Sequence, residues 1–216
     1  MNAFKTKAIS FCANQEEIDY TLGHIKRLQL TYETSKKFLN AGDKILSIGS
    51  GNAIVEKMLL EDGFDITLMD FPENFSENEK GFEGHAFKFI YGDIMDFQFT
   101  QKFDFLIACE IVEHIPMAPS VLFTKARSAM APRARIIATT PNLGRLSNIL
   151  RMIRQKPILP PPEKTFGPVN RANQATHRRE YAMQELKDAC RTAGLEIVKT
   201  SYFGNLNSSL LIIAKN

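Results

Sequence analysis

The chain has 216 residues, 44% of them hydrophobic and 24% charged, enough apolar material for one α/β core without a disulfide or metal to hold it. A formal net charge of +3 is too small to imply a nucleic-acid partner, and no stretch reaches the roughly 20 apolar residues of a membrane span. Cys12, Cys109 and Cys190 are odd in number, far apart and without metal-ligand spacing, so a reducing cytoplasmic setting and no metal are expected.

From Glu16 to Leu39, the residues Ile18, Leu22, Ile25, Leu28, Tyr32 and Phe38 recur at helical spacing, and residues 1–42 read as an N-terminal helical cap. Lys44–Ile48 is a short apolar strand running into the turn Gly49-Ser50-Gly51, followed by a helix over about Ala53–Glu61. A second strand, Asp65–Met69, ends on Asp70; a third, His85–Tyr91, ends on Gly92-Asp93. A fourth, Phe103–Ala108, leads into Cys109-Glu110 and a helical region to about Met130. A fifth, Arg135–Thr140, stops at Pro141-Asn142. Strands alternating with helices imply βαβ units and a mostly parallel sheet covered on both faces. The end differs: helix Tyr181–Ala193, strand Leu195–Phe203 and strand Ser208–Ala214 are joined by so short a link that the last two strands must be antiparallel.

In such a sheet ligands bind beyond the carboxyl ends of the strands. Gly49 and Gly51 allow a sharp turn and close backbone approach; Asp70, about twenty residues on, is placed to accept two hydrogen bonds from a ribose diol. Asp93 is placed to bond an adenine amine, with Ile94 and Phe71 on the ring faces. Each feature alone is weak, but in order, at successive strand ends, they describe an adenosine site. A dinucleotide fingerprint would put a third glycine at position 54, where Ile54 stands.

The successive segments Lys44–Gly51, Leu68–Asp70, Tyr91–Ile94, Phe103–Ile115, Ile136–Asn142 and Ala193–Val198 resemble the motifs of class I S-adenosylmethionine-dependent methyltransferases, nearest to the branch acting on small molecules, quinone precursors and glycan or lipid intermediates. The resemblance covers nearly everything from Leu39 onward. It implies a Rossmann-like seven-stranded sheet in a single domain, with S-adenosylmethionine across the ends of strands one, two and four, and Glu110 among the cofactor contacts. The sequence departs from the pattern at Ser47, where an acid that helps hold the cofactor's ammonium usually stands, and at Ala53, where a third glycine is common.

For an alcohol acceptor the proton must leave, and His114 is the expected base; otherwise it caps its helix or orders Glu110 and Glu113. His177, with Arg178, Arg179 and Tyr181, either lines the acceptor site or is a solvated basic helix start. The insert Leu143–Thr176 belongs to a stretch, Leu143–Glu180, with eight basic residues against two acidic ones. Leu143, Leu146, Ile149, Leu150 and Ile153 fall on one helical face, so the helix either packs on the core as an acceptor lid or meets an anionic, lipid- or glycan-linked acceptor, with peripheral membrane contact through 143–162. No Asn/Asp-Pro-Pro-aromatic motif for a flipped base is present, so no nucleic-acid substrate is expected. A nicotinamide-dependent oxidoreductase and a non-catalytic cofactor-binding relative stand as alternatives.

Overall fold

The structure, a computed structural model, describes residues 3–77, 79–161 and 176–216, and side chains within these ranges except those of 76–80. A seven-stranded sheet has the order β3-β2-β1-β4-β5-β7-β6, with strands β1 Lys44–Ile48, β2 Asp65–Asp70, β3 Lys88–Tyr91, β4 Phe103–Cys109, β5 Met130–Pro141, β6 Glu196–Phe203 and β7 Ser209–Lys215. The pairs β1–β2, β1–β4 and β2–β3 are parallel, and β6–β7 is the antiparallel hairpin that its short link requires. Helices are α1 Ala3–Ser10, α2 Gln15–Lys36, α3 Ile54–Glu61, α4 Pro72–Glu77, α5 Glu79–Phe82, α6 Pro119–Ala129, α7 Leu146–Ile153 and, after the insert, α8 Met183–Thr192. No helix among the described residues is long and apolar enough to cross a membrane.

Two compact units result, one from the residues up to Ile107 with Ala129–Arg135, the other from Ala108–Ser128 with Ile136–Asn216. In the first, Ile45, Leu46, Ile66 and Leu68 are fully buried, as expected of strands covered on both faces. Ile54 and Met58 of α3 bury themselves with Ala8 against Phe4, Phe11, Ile25, Leu28 and Tyr32 of the N-terminal segment. That packing explains why position 54 carries isoleucine rather than a dinucleotide-type glycine. Several boundaries differ from expectation. The polar stretch before β3 forms α4 and α5 and shortens that strand to four residues. A separate α1 precedes α2, the stretch after β4 becomes helical only at Pro119, and β5 begins at Met130 rather than at Arg135.

Ala53, entering α3, is left-handed at φ 49° and almost fully buried. An L-residue there costs roughly 1–2 kcal/mol, offset in a glycine variant by about 1 kcal/mol of lost methyl burial and added chain entropy. Ala53→Gly is therefore expected to leave the unfolding temperature nearly unchanged. Ala53→Val, β-branched at positive φ, is expected to lower it by several degrees. Equal melting temperatures for the two variants would reject this account.

Candidate active site

The end of β1 turns through Gly49 at φ 66° and Gly51 at φ 53°. A Cβ on Gly51 would meet nothing within 4 Å, so the backbone conformation, not crowding, demands glycine there. The Gly49 N–H donates to the Met69 carbonyl at 2.8 Å, tying the turn to β2. Asp70 closes the arrangement: its Oδ1 accepts from the Phe71 N–H at 2.8 Å and from Asn74 Nδ2 at 2.6 Å, and the Gly51 N–H also bonds the carboxylate. Burial raises the Asp70 carboxyl above its ordinary range, against the lowering effect of these donors. Within the turn, Ser50 Oγ is buried with no hydrogen-bond partner among the described residues. An orphaned hydroxyl beside a glycine turn and a partly desolvated carboxylate fits a polar ligand such as a nucleoside.

Asp93 lies two residues beyond Tyr91, which is paired with Asp70, so both acids stand at the same end of adjacent strands. Asp93 Oδ1 accepts from the Met95 N–H at 2.9 Å, and its carbonyl accepts from Asp96 and Phe97, so part of its role is to cap this turn. Ile94 is buried and Phe71 half-buried.

Sequence reasoning missed one residue here. The Ser47 hydroxyl donates to Glu56 Oε1 at 2.6 Å, and both residues are buried. The first turn of α3 thus brings a carboxylate to Ser47 on β1. Burial pushes the Glu56 carboxyl up, while the Ser47 hydroxyl, its own backbone and nearby Lys57 pull it down. A buried carboxylate is costly and calls for a compensating partner. In the sequence Glu56 was indistinguishable from an exposed acid near a helix start.

In the other unit, Glu110 at φ 55° donates its N–H to the Thr139 carbonyl at 2.8 Å and accepts from Thr139 Oγ1 at 2.8 Å. Glu113 is fully buried and accepts from Thr140 Oγ1 at 2.9 Å. His114 Nδ1 lies 3.2 Å from the Thr176 carbonyl, and its Nε2 lies 3.9 Å from Glu113 Oε1. The His177 ring stands edge-on to that of His114, with centroids 5.0 Å apart. Expectation thus placed His114 and His177 separately, and the fold brings them together with Glu113. The Arg178 N–H donates to the Glu113 carbonyl at 2.7 Å and locks this juxtaposition.

Of the two arrangements open to the helix of the insert, burial of its apolar stripe is not the one adopted. In α7 the one buried residue is polar Asn148, which donates to Glu180 Oε2 at 2.6 Å and to the Leu143 carbonyl at 3.0 Å. Arg145 pairs with Glu180 at 2.6 Å. Leu146, Ile149, Leu150, Met152 and Ile153 are all exposed. The buried Asn148–Glu180–Arg145 network, which needs every polar partner satisfied, orients the helix more strongly than the apolar stripe does. The later part of the insert, with Lys164 and Arg171, lies outside the described residues. Cys190 is buried, and burial pushes its thiol up to about 12, which keeps it unreactive.

A mostly parallel sheet with a glycine turn after β1, an acid ending β2 and a terminal antiparallel hairpin defines a Rossmann-like α/β protein with a nucleoside site. A family model for the methyltransferase domain matches residues 17–200, and the chain belongs to that family. Methyl transfer is accordingly its chemical class. The fold is similar to an S-adenosylmethionine-dependent methyltransferase from Methanosarcina mazei, at 17% identity and TM-score 0.66, over 84% of this chain and 96% of that one. It is similar also to magnesium protoporphyrin IX methyltransferase from Synechocystis PCC 6803 with bound SAH, at 17% identity and TM-score 0.68, over 94% of this chain and 88% of that one. An S-adenosylmethionine-dependent methyltransferase from Archaeoglobus fulgidus matches at 17% identity and TM-score 0.63, over 91% of this chain and 99% of that one. No curated protein matches in sequence.

Proposed function

We propose that this chain transfers a methyl group from S-adenosylmethionine to a hydroxyl oxygen of a small-molecule acceptor. The observation that carries the reading is the pair of carboxylates flanking the Gly49–Gly51 turn, Asp70 at the end of β2 and Glu56 joined to Ser47. When bound, the cofactor supplies an electrophilic methyl on a sulfonium, transferred by in-line displacement. The chain's task is then to hold and align. Asp70 takes the ribose diol, Asp93 the adenine amine between Ile94 and Phe71, and Ser50 Oγ a further polar atom of the ligand. Glu56 takes over from the missing acid at position 47 and holds the ammonium. On the acceptor side, His114 uses the Thr176 carbonyl to keep its Nδ1 protonated, which leaves Nε2 as the proton-accepting nitrogen.

Calorimetric titration tests the class of cofactor. S-adenosylmethionine and S-adenosylhomocysteine are both expected to bind, and binding of NAD alone would overturn the reading. Binding without methyl transfer to any of a broad panel of hydroxylated acceptors would favour a non-catalytic relative.

A finer part of the reading is an acceptor bearing an anionic group and an apolar portion, such as a lipid- or glycan-linked intermediate handled in the cytoplasm. Its support is α7, which presents five exposed apolar residues together with exposed Arg151 and, just past its end, exposed Arg154. Arg145 and Arg179 serve less well, since they pair with Glu180 and Glu185. The double variant Arg151→Glu/Arg154→Glu is expected to raise acceptor KM by about 10-fold or more with the cofactor Kd unchanged. Unchanged acceptor kinetics would remove the anionic group from the proposal.

A further inference from the structure

We propose that Glu113, His114 and His177 form a binding site for a divalent transition-metal ion. One carboxylate oxygen and one nitrogen from each ring lie within 4.8 Å of one another. Ligands on a common ion at about 2.0–2.2 Å sit roughly 3–3.5 Å apart, so the atoms lie within about 1–2 Å of a closed ligand set. Two imidazoles with one carboxylate suit zinc, iron or cobalt better than the all-oxygen cations calcium and magnesium.

The surroundings are those of a prepared ligand set. Metal-ligating side chains are oriented by outer partners, and two of the three side chains here have one. Thr140 Oγ1 donates to Glu113 Oε2 and aims the other oxygen, Oε1, toward His114. The Thr176 carbonyl at His114 Nδ1 selects the tautomer whose lone pair is on Nε2, the nitrogen nearer Glu113. The Arg178 N–H to the Glu113 carbonyl holds the backbone next to His177 against the backbone of Glu113. Glu113 is fully buried, which separates this cluster from the exposed acidic groups common on protein surfaces.

In its role, though not in its geometry, the site rests on the proposed function. A divalent ion there would bind the acceptor oxygen and lower its pKa, so that His114 acts as a ligand in the loaded protein and as a base only without the ion.

The test uses the tag-free full chain, stripped with a chelator and titrated with Co2+ alone while the visible ligand-field bands are followed. One Co2+ per chain is expected, displaced by Zn2+. Because Glu113 is buried and its variants carry a folding risk, the main variant is His177→Ala, with Thr140→Val as the outer-partner variant. His177→Ala is expected to weaken Co2+ by at least about 10-fold and alter the bands, and Thr140→Val to weaken it by about 10-fold. No Co2+ binding by the wild-type chain overturns the proposal, as does equal affinity and an equal spectrum in His177→Ala. Calorimetry with S-adenosylmethionine on the same preparation separates the two readings. Cofactor binding without Co2+ binding overturns the metal site alone; Co2+ binding without cofactor binding overturns only the proposed function.

Discussion

Asp70→Asn is expected to weaken S-adenosylmethionine binding by about 100-fold or more, because two ribose hydrogen bonds to a charged acceptor contribute about 1.5–3 kcal/mol each. The amide keeps the size of the side chain and one oxygen for the Phe71 N–H, so a folding defect is not the expected cause. Thermal unfolding of the ligand-free variant checks that point. A Kd within about threefold of wild type would remove Asp70 from the cofactor site.

The pH dependence has a definite sign. Burial raises the carboxyls of both Asp70 and Glu56 in the folded chain. Groups with raised folded pKa contribute stability that is fully present below their unfolded values and is lost as pH rises through the folded values. The contribution of these two carboxyls to the stability of the ligand-free protein is therefore expected to fall as pH rises through that acidic window. The cofactor favours the ionised carboxylates, so its stabilising shift should grow over the same window. A ligand-induced shift that is constant with pH in both wild type and Asp70→Asn would contradict this.

Glu56→Gln is the second large effect, and it separates the two ends of the cofactor. Affinity for S-adenosylmethionine and S-adenosylhomocysteine, which both carry the ammonium, is expected to fall by about 10- to 100-fold. Affinity for 5′-methylthioadenosine, which lacks the amino-acid portion, is expected to stay within about twofold. Removing a buried charge also relieves desolvation, so the ligand-free variant should unfold at the wild-type temperature or higher. Moving the acid back to the strand, in Ser47→Asp/Glu56→Ser, is expected to restore part of the lost affinity. Equal loss for all three ligands would make Glu56 a structural residue only.

The strand framework was legible because it rests on local chemistry. Lys44–Ile48 and Phe103–Cys109 are short apolar runs closed by turn residues, and the brief link between β6 and β7 allows only an antiparallel pair. The region between β2 and β3 was not legible, because Phe75 and Phe82 pack on Phe89 and one another in an aromatic cluster that a polar-looking stretch does not announce. Which of its two arrangements α7 takes was not legible for a related reason. Its apolar residues point outward while Asn148 is drawn in by Glu180, a partner far along the chain. The pairing of His114 with His177, and of both with Glu113, depends on the backbone bond from Arg178 to Glu113, which no local pattern encodes.

By itself the sequence determined the alternation of strands and helices, the Gly49-Ser50-Gly51 turn and the acids Asp70 and Asp93 at successive strand ends, since turn chemistry and strand termination act over a few residues. Only the tertiary structure decided that Ser47 bonds the buried Glu56 carboxylate, and that Glu113, His114 and His177 come close to one another. Both outcomes depend on burial and on contacts between distant segments, where the cost of an unpaired polar group selects the partner.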